Sequence, residues 1–435
     1  MGEIFRMSQW GLLASARFLP LFLTQALGAL NDNVFRNALI VLVTFRLTTD
    51  ALLPPAQLAA VATGLFILPY FLFSALVGQI SDRYEKSRVI RVVKLAEIFL
   101  SVLAAIAFAM DSTIFLLAVL FLLGTQSTFF SPVKFAILPQ QLDETELLGA
   151  NAFLELGTFI TILAGAILGT VLILGANGPL VVSVLMIAVA IAGYLSARAV
   201  PPAPASAPGL VLNLNLAAET VRLLRFANQS RTVLWGIIGI AWFWLLGGLY
   251  VTQLAAYTKF AIGANQTVVT LLLGVFTIGI GAGALLCNRL LRSVISPRLV
   301  LASAVGLSVF AVDLWFVTMD GPPTDELIDV GTFLASSQGW RITASLFLLA
   351  LFAGIYSVPL YALVQARSDP SVRARTIAAA NIIIAMFMVT GALTTTALLG
   401  SGLKVQEIFA LAAAVNIAAA FLIHRKLAAA DTTPS

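Results

Sequence analysis

The sequence predicts an all-α polytopic membrane protein: twelve spanning helices in two six-helix bundles. Three observations carry that prediction. Of the 435 residues, 60% are hydrophobic and only 10% charged, with a mean hydropathy of +1.01; soluble globular chains of this length do not have such a composition. The apolar stretches are long and unbroken, about 20 residues or more, which is the length a helix needs to cross a bilayer. Outer-membrane strands would alternate in polarity and are excluded. A Pro-rich stretch, Pro201-Pro202-Ala203-Pro204 followed by Pro208, interrupts the pattern after the sixth apolar segment.

Taken in order, spans are expected at roughly 18–45, 57–80, 89–109, 113–138, 150–174, 178–197, 231–257, 266–288, 299–318, 342–365, 377–400 and 405–423. The segment from Met1 to Arg17 is mixed in polarity. It lacks the short apolar core and cleavage site of a signal peptide, so it is expected to stay attached. Lysine and arginine collect on the cytoplasmic side of membrane proteins. With the N-terminus inside, only Arg46, Lys259, Arg341 and Lys404 fall outside, while Arg36, Lys94 and Lys134 fall within spans. The other 18 of the 25 basic residues lie in cytoplasmic segments. Both termini are therefore expected to be cytoplasmic. The organisation that follows is an N-terminal bundle over 1–197, a cytoplasmic linker with a surface helix over 198–230, and a C-terminal bundle over 231–435. Asp320, Asp325, Glu326 and Asp329 read as a solvated acidic loop on the outer side.

Several functions are disfavoured by composition. The only cysteine, Cys287, lies in an apolar run, and the only histidine, His424, ends the last apolar segment. No metal site, disulfide framework or histidine-based catalytic centre is expected from that pair. The net charge of +5 distributes by membrane side and points to no nucleic acid. A Walker-type phosphate loop is absent, and no cofactor is expected.

Polar residues inside spans are costly in lipid, so they are the candidates for handling a polar substrate. Asn31-Asp32-Asn33, with Arg36 and Asn37, breaches the middle of the first span. Asp32 and Arg36 are four apart, share a helix face and are expected to neutralise each other in part. Lys94 and Glu97 are three apart in span three and form an expected ion pair, either a helix clamp or part of a substrate site. Lys134 lies low in span four, and Asn151 and Glu155 share a face of span five. The second half offers Trp242, Trp244, Tyr250 and Gln253 in span seven, the isolated Asp313 in span nine, and Asn381 in span eleven. Asn151 and Asn381 open their helices in this reading, so helix capping competes with a binding role. Charge is concentrated in the first half. A site with one charged wall and one apolar wall suits an amphiphile.

The halves echo each other. Ser131-Pro132-Val133-Lys134-Phe135 precedes Asn151, and Ser357-Val358-Pro359-Leu360-Tyr361 precedes Asn381, both at the close of the fourth span of their half. Duplicated six-span halves around a midplane site are the design of the major facilitator transporters. The loop after span two, Gly78-Gln79-Ile80-Ser81-Asp82-Arg83-Tyr84-Glu85-Lys86-Ser87-Arg88, resembles the signature of that superfamily. Gly78 would let two helices approach closely, while Asp82, Arg83 and Arg88 would latch the cytoplasmic ends. In the superfamily such a latch favours the outward-open state. The matching stretch Gly283 to Arg292 has Cys287 where an acid would stand, so a weaker latch is expected there.

The Asn-Asp-Asn span, the Ser-Pro-x-Lys-Phe-x-Ile-Leu-Pro stretch from Ser131, Ala150 to Glu155, and Arg373 to Asn381 together resemble the bacterial lysophospholipid transporters (LplT type) over nearly the whole chain. The resemblance implies movement of lysophospholipids, such as lysophosphatidylethanolamine, across the bacterial inner membrane to the cytoplasmic leaflet. It also implies functional coupling to a lysophospholipid acyltransferase there. By that analogy Asn31, Asp32 and Asn33 meet the headgroup, Arg36 or Lys134 attracts the phosphate, and Glu155, Gln253 and Asn381 complete the site. Lys134 and Glu155 are expected to form the partner wall to the span-one cluster. Tyr250 to Gln253 is uncharged, a departure from members that carry a basic residue in span seven. The chain is expected to be monomeric and not an enzyme, since the acyltransferase His-x4-Asp pattern is missing after His424. A proton-coupled transporter of drugs or small solutes, with Asp32 as proton carrier, is the rival reading; a non-transporting receptor is the third.

Overall fold

A computed structural model of the protein describes residues 9–45, 55–227, 230–320 and 326–431, so Arg6, Arg46 and Asp325 lie outside the described residues. Among these, a short 3-10 turn Gln9–Ala14 precedes α1 (Leu19–Phe45), α2 (Pro55–Arg83), α3 (Lys86–Ala109), α4 (Thr113–Ala136), α5 (Leu138–Gln141), α6 (Glu144–Ile173) and α7 (Gly178–Arg198). After the linker come α8 (Leu216–Ala227), α9 (Arg231–Ala256), a π-helical turn Tyr257–Ile262, α10 (Gln266–Leu291), α11 (Arg298–Val317), α12 (Val330–Ala335), α13 (Ser337–Arg367), α14 (Arg373–Gly400) and α15 (Val405–Asp431). Twelve of the described helices are long and apolar enough to cross a membrane. The other three, α5, α8 and α12, are short connectors.

Most predicted spans match within a few residues. The fifth does not: α6 begins six residues early, at Glu144, because Asp143 and Glu146 form a reciprocal capping box, with Glu146 accepting from the Asp143 backbone N–H at 2.9 Å. α14 likewise starts at Arg373, behind Asp369, whose carboxyl accepts the Ser371 N–H and hydroxyl at 2.8 Å each. Those two hydrogen bonds, the backbone one first, hold the Asp369 carboxyl below the usual carboxylate range. Asn151 and Asn381 therefore lie inside their helices and cap nothing, which corrects the sequence reading. The acidic outer loop has a structural part too, since Asp329 caps α12 by accepting the Thr332 N–H at 2.8 Å.

The chain divides into two compact units, and neither is contiguous. The first comprises Met1–Ala150, Ile160–Ala227 and Ser368–Ile382; the second comprises Asn151–Phe159, Asn228–Arg367 and Ile383–Ser435. Thus α6 and α14 are each shared between units. In the first unit, Phe35, Leu39, Leu100, Phe108, Leu120 and Met186 pack into one apolar core from α1, α3, α4 and α7. Phe35 and Phe108 meet edge to face with ring centroids 5.5 Å apart.

In the second unit, α10 and α13 make the tightest helix contact, and small residues permit it. A Cβ on Gly283 would lie 1.9 Å from the Leu351 carbonyl oxygen, and one on Gly354 would lie 2.2 Å from that of Ile280. Gly283→Leu is therefore expected to force the helices apart and destabilise the fold by at least about 1–3 kcal/mol. Gly274→Ala in the same helix, where a methyl meets nothing within 4 Å, is the control. Thermal melting of the purified proteins compares them; equal melting would refute the close-packing argument. Pro132 and Pro359, the landmarks of the internal repeat, sit inside α4 and α13.

Candidate functional site

The polar breach of α1 is buried: Asn31 is 1% exposed, and Asp32 and Asn33 are 8% each. A helix shows three successive residues to three directions, so each finds different partners. Asn31 donates from Nδ2 to Glu97 Oε1 at 3.2 Å and to the Ser101 hydroxyl at 3.1 Å, both on α3. Asp32 accepts a short hydrogen bond from the Ser127 hydroxyl of α4 through Oδ2. Its Oδ1 is buried without a hydrogen-bond partner. Ser127 also lies 3.3 Å from Gln126 Oε1, and Gln126 Nε2 donates to Glu97 Oε2 at 2.9 Å. Glu97 closes the chain by pairing with Lys94 at 2.6 Å, with side chains 0% and 1% exposed. Seven polar side chains on three helices of the first unit thus form one buried seam.

The expected Lys94–Glu97 pair is present and is part of that seam. Its ammonium lies where a Cβ on Gly28 would be, 2.2 Å from Nζ, so the glycine is what lets the lysine pass α1. Phe130 sits between two cations: its ring centroid is 5.1 Å from Lys94 Nζ and 6.0 Å from Lys134 Nζ. Lys134 is nearer Phe135, at 4.9 Å.

Arg36 forms no direct ion pair with Asp32, although the two interact through charge as their spacing implies. Its Nη2 donates instead to Asn33 Oδ1 at 2.7 Å, and its guanidinium lies 5.9 Å from the Phe66 ring centroid. Both alternatives are one helical turn away; Ser127 already holds Asp32, and Phe66 of α2 supplies a flat surface for the guanidinium.

The signature loop works through partners the loop itself does not contain. Asp82 is fully buried and pairs with Arg375 of α14 at 3.0 Å. It also accepts the backbone N–H groups of Ala374 and Arg375 at 3.2 and 3.3 Å, taking up otherwise orphaned donors of the first turn of α14. Gly78 gives the clearance, since a Cβ there would lie 2.9 Å from both Ala378 Cβ and Arg375 Cα. Arg83 lies over the Tyr84 ring, and Arg88 is exposed. Neither arginine forms an ion pair among the described residues; the ion pair of Asp82 is made by Arg375.

The two asparagines of the internal repeat are both in amide or hydroxyl pairs. In the first unit Asn381 and Ser131 exchange hydrogen bonds at 3.1 and 3.3 Å. In the second unit Asn151 and Gln365 exchange them at 2.8 and 2.9 Å. Glu155 is buried in the second unit, one turn beyond Asn151. There too, Phe159 stacks on Trp244 at 6.2 Å, and Trp244 Nε1 donates to the Tyr361 hydroxyl at 2.7 Å. Gln253 lies in the last turn of α9, remote along that helix from Trp244. Asp313 is not isolated: it forms an ion pair with Arg341 and accepts from Ser345 at 2.6 Å.

Sequence reading missed Gln126 and Ser127, although the run Thr125-Gln126-Ser127-Thr128 in an otherwise apolar helix is the same signal that marked Asn31 to Asn33. It also missed Arg375 as the partner of Asp82, and Ser131 and Gln365 as partners of the asparagines.

Twelve spanning helices in two units, a buried polar seam and an acid that holds the start of a distant helix define a polytopic transporter. The family model of the Major Facilitator Superfamily matches residues 14–325, and the chain belongs to that superfamily. Among characterised relatives, it is 27% identical over 375 residues to the lysophospholipid transporter LplT of Serratia proteamaculans (strain 568), covering 83% of each chain. It is also 27% identical over 373 residues to LplT of Salmonella gallinarum (strain 287/91 / NCTC 13346), covering 83% of this chain and 82% of the relative. Solved structures agree on the fold. The human organic anion transporter MFSD10 superposes with a TM-score of 0.72 at 15% identity, covering 94% of this chain and 99% of that one. The transporter FucP in the outward conformation gives 0.68 at 13% identity over 94% and 99%. The protein is a multi-pass membrane transporter of that superfamily, similar in sequence to LplT transporters.

Proposed function

We propose that this protein moves lysophospholipids, such as lysophosphatidylethanolamine, across the bacterial inner membrane to the cytoplasmic leaflet by alternating access. Asp32 is the observation that carries the reading: it is buried, held through one oxygen by Ser127, and has a second oxygen with no hydrogen-bond partner. That oxygen suits the ammonium or hydroxyl of a headgroup, with Asn33 and Arg36 beside it for a hydroxyl and phosphate. The likeness, over 83% of the chain, to transporters named for lysophospholipids supports the substrate class. Lys134 and Asn381, in the same unit as Asp32, remain part of the proposed site, with both termini in the cytoplasm, a monomeric state, and an acyltransferase as the consumer of the product.

Uptake of labelled lysophosphatidylethanolamine into spheroplasts tests the reading. Uptake that depends on the protein is expected. Its absence, together with proton-linked export of a small solute abolished by Asp32→Asn, would sink the lipid assignment in favour of the rival transporter.

The latch at Asp82 is proposed to open when the site opens to the cytoplasm. Asp82→Asn and Arg375→Ala each remove a buried charge-assisted hydrogen bond worth about 1.5–3 kcal/mol. Each is expected to raise, several-fold, the labelling of an Ala374→Cys variant by an impermeant maleimide from the cytoplasmic side. Ala374 is fully buried and the native Cys287 is buried, so the background is low. Unchanged labelling in both variants would remove Asp82 from the gate.

A further inference from the structure

The linker segment 201–213 is bound to both helix ends that flank the signature loop. A helix leaves its last carbonyls and its first N–H groups without partners of its own. At the end of α2 the Asp82 carbonyl is such a group, and it accepts the Ala207 N–H at 2.8 Å. At the start of α3 the Lys86 N–H is another, and it donates to the Ala203 carbonyl at 2.9 Å. One turn before Asp82, the buried Gln79 exchanges two hydrogen bonds with the Asn213 backbone, at 2.7 and 3.2 Å. Gln141 of α5 donates to the Pro201 carbonyl at 3.0 Å.

Lys86 is the centre of this attachment. Its side chain is fully buried and forms no ion pair among the described residues, although the Asp82 charge acts on it. The ammonium donates to the Ser206 hydroxyl at 2.7 Å and to the Pro204 carbonyl at 3.4 Å. Gln140 of α5 approaches the same two acceptors at 3.4 and 3.5 Å. Burying a charge is costly unless it is hydrogen-bonded, so the linker strap and the Lys86 side chain stay or leave together.

Asp82 is therefore held from two sides. Its main-chain carbonyl is taken by the strap, while its carboxyl takes the Ala374 and Arg375 N–H groups and the Arg375 guanidinium. Strap, signature loop and the first turn of α14 all belong to the first unit. Hydrogen bonds weaken steeply once distance and angle depart from their narrow optimum. A carboxyl that makes three of them needs a fixed main chain beneath it, and the strap supplies that fixture where α2 has run out of its own hydrogen bonds.

We propose that the linker strap is a positioning element of the gate. Gln79, Lys86 and Ser206 hold the end of α2 where the Asp82 carboxyl reaches α14, and the strap loosens when α14 is released. The inference rests on the latch at Asp82 proposed above and is independent of the transported substrate.

Ser206→Ala and Gln79→Leu, each in the full-length protein carrying Ala374→Cys, test it by impermeant-maleimide labelling with no lipid substrate added. Each is expected to raise the labelling rate roughly three- to tenfold, the ratio that losing one or two hydrogen bonds produces. Ser206→Thr, which restores the hydroxyl, is expected to return the rate to that of the parent. In an Asp82→Asn background the same strap variants are expected to add less than about twofold, because the carboxyl they position is already gone. Should Gln79→Leu melt early, Ser206→Ala, at a half-buried position, carries the test alone. Labelling unchanged by the strap variants while Asp82→Asn raises it would leave the latch standing and overturn the role of the strap. A full-sized strap effect on top of Asp82→Asn would also overturn it, by showing a strap that only stiffens the unit. Unchanged labelling in Asp82→Asn alone removes the latch itself, and the strap proposal with it.

Discussion

Asp32→Asn is expected to cut the initial rate of lysophosphatidylethanolamine uptake by one to two orders of magnitude while leaving the protein folded. Asparagine keeps the shape of aspartate and can still accept from Ser127 through its Oδ1, so the seam of α1, α3 and α4 survives. What is lost is the carboxyl oxygen without a hydrogen-bond partner, which is proposed to meet the headgroup. Hydrogen bonds to charged groups are worth about 1.5–3 kcal/mol, which corresponds to roughly 10- to 150-fold in binding. Ser127→Ala removes only the positioning hydroxyl and is expected to cost less than Asp32→Asn. Initial rates in proteoliposomes at matched protein density measure both. Wild-type uptake by Asp32→Asn would dissociate the cluster from the substrate and return it to a structural role.

The second large effect is expected at Lys94 and Glu97. Lys94→Ala leaves Glu97 fully buried, with only the neutral amides of Asn31 and Gln126 on its carboxyl oxygens. Removing one partner of a buried pair costs about 3–5 kcal/mol, because the other charge stays in a low-dielectric site uncompensated. Most of the folded protein should be lost. The double change Lys94→Met/Glu97→Leu removes both charges and keeps much of the volume, and it is expected to recover much of the melting temperature. If the recovered protein does not transport, the seam serves the site as well as the fold; if it transports normally, the pair is a helix clamp. No recovery at all would show that Asn31 and Gln126, stripped of their acceptor, dominate the loss. Gly28→Ala should resemble Lys94→Ala in part, because its methyl occupies the path of the ammonium.

Much of the fold was legible because lipid imposes a simple rule. A helix must be long and apolar to span, and it must hide whatever polar groups it carries. The twelve spans, the i,i+3 pair at Lys94 and Glu97 and the burial of Asn31 to Asn33 all follow from that rule. Asn151 was placed at a helix start because the true start of α6 is written in Asp143 and Glu146, a local signal that the apolar count overran. The direct partner of Arg36 was not legible for a different reason. Asp32 and Asn33 both lie within one turn of it, and spacing alone does not say which acceptor the packing leaves open.

The sequence by itself determined what must be buried, how often the chain crosses the membrane, and which residues are too expensive in lipid to be accidental. Only the tertiary structure decided with whom those residues pair. Asp82 meets Arg375 across 293 positions of sequence, and Asn381 meets Ser131 across 250. Such pairings depend on close approach of helices, as Gly78 permits between α2 and α14. Hydrophobicity acts residue by residue and is readable along one chain. Hydrogen bonds act over about 3 Å and become definite only when the helices have been packed.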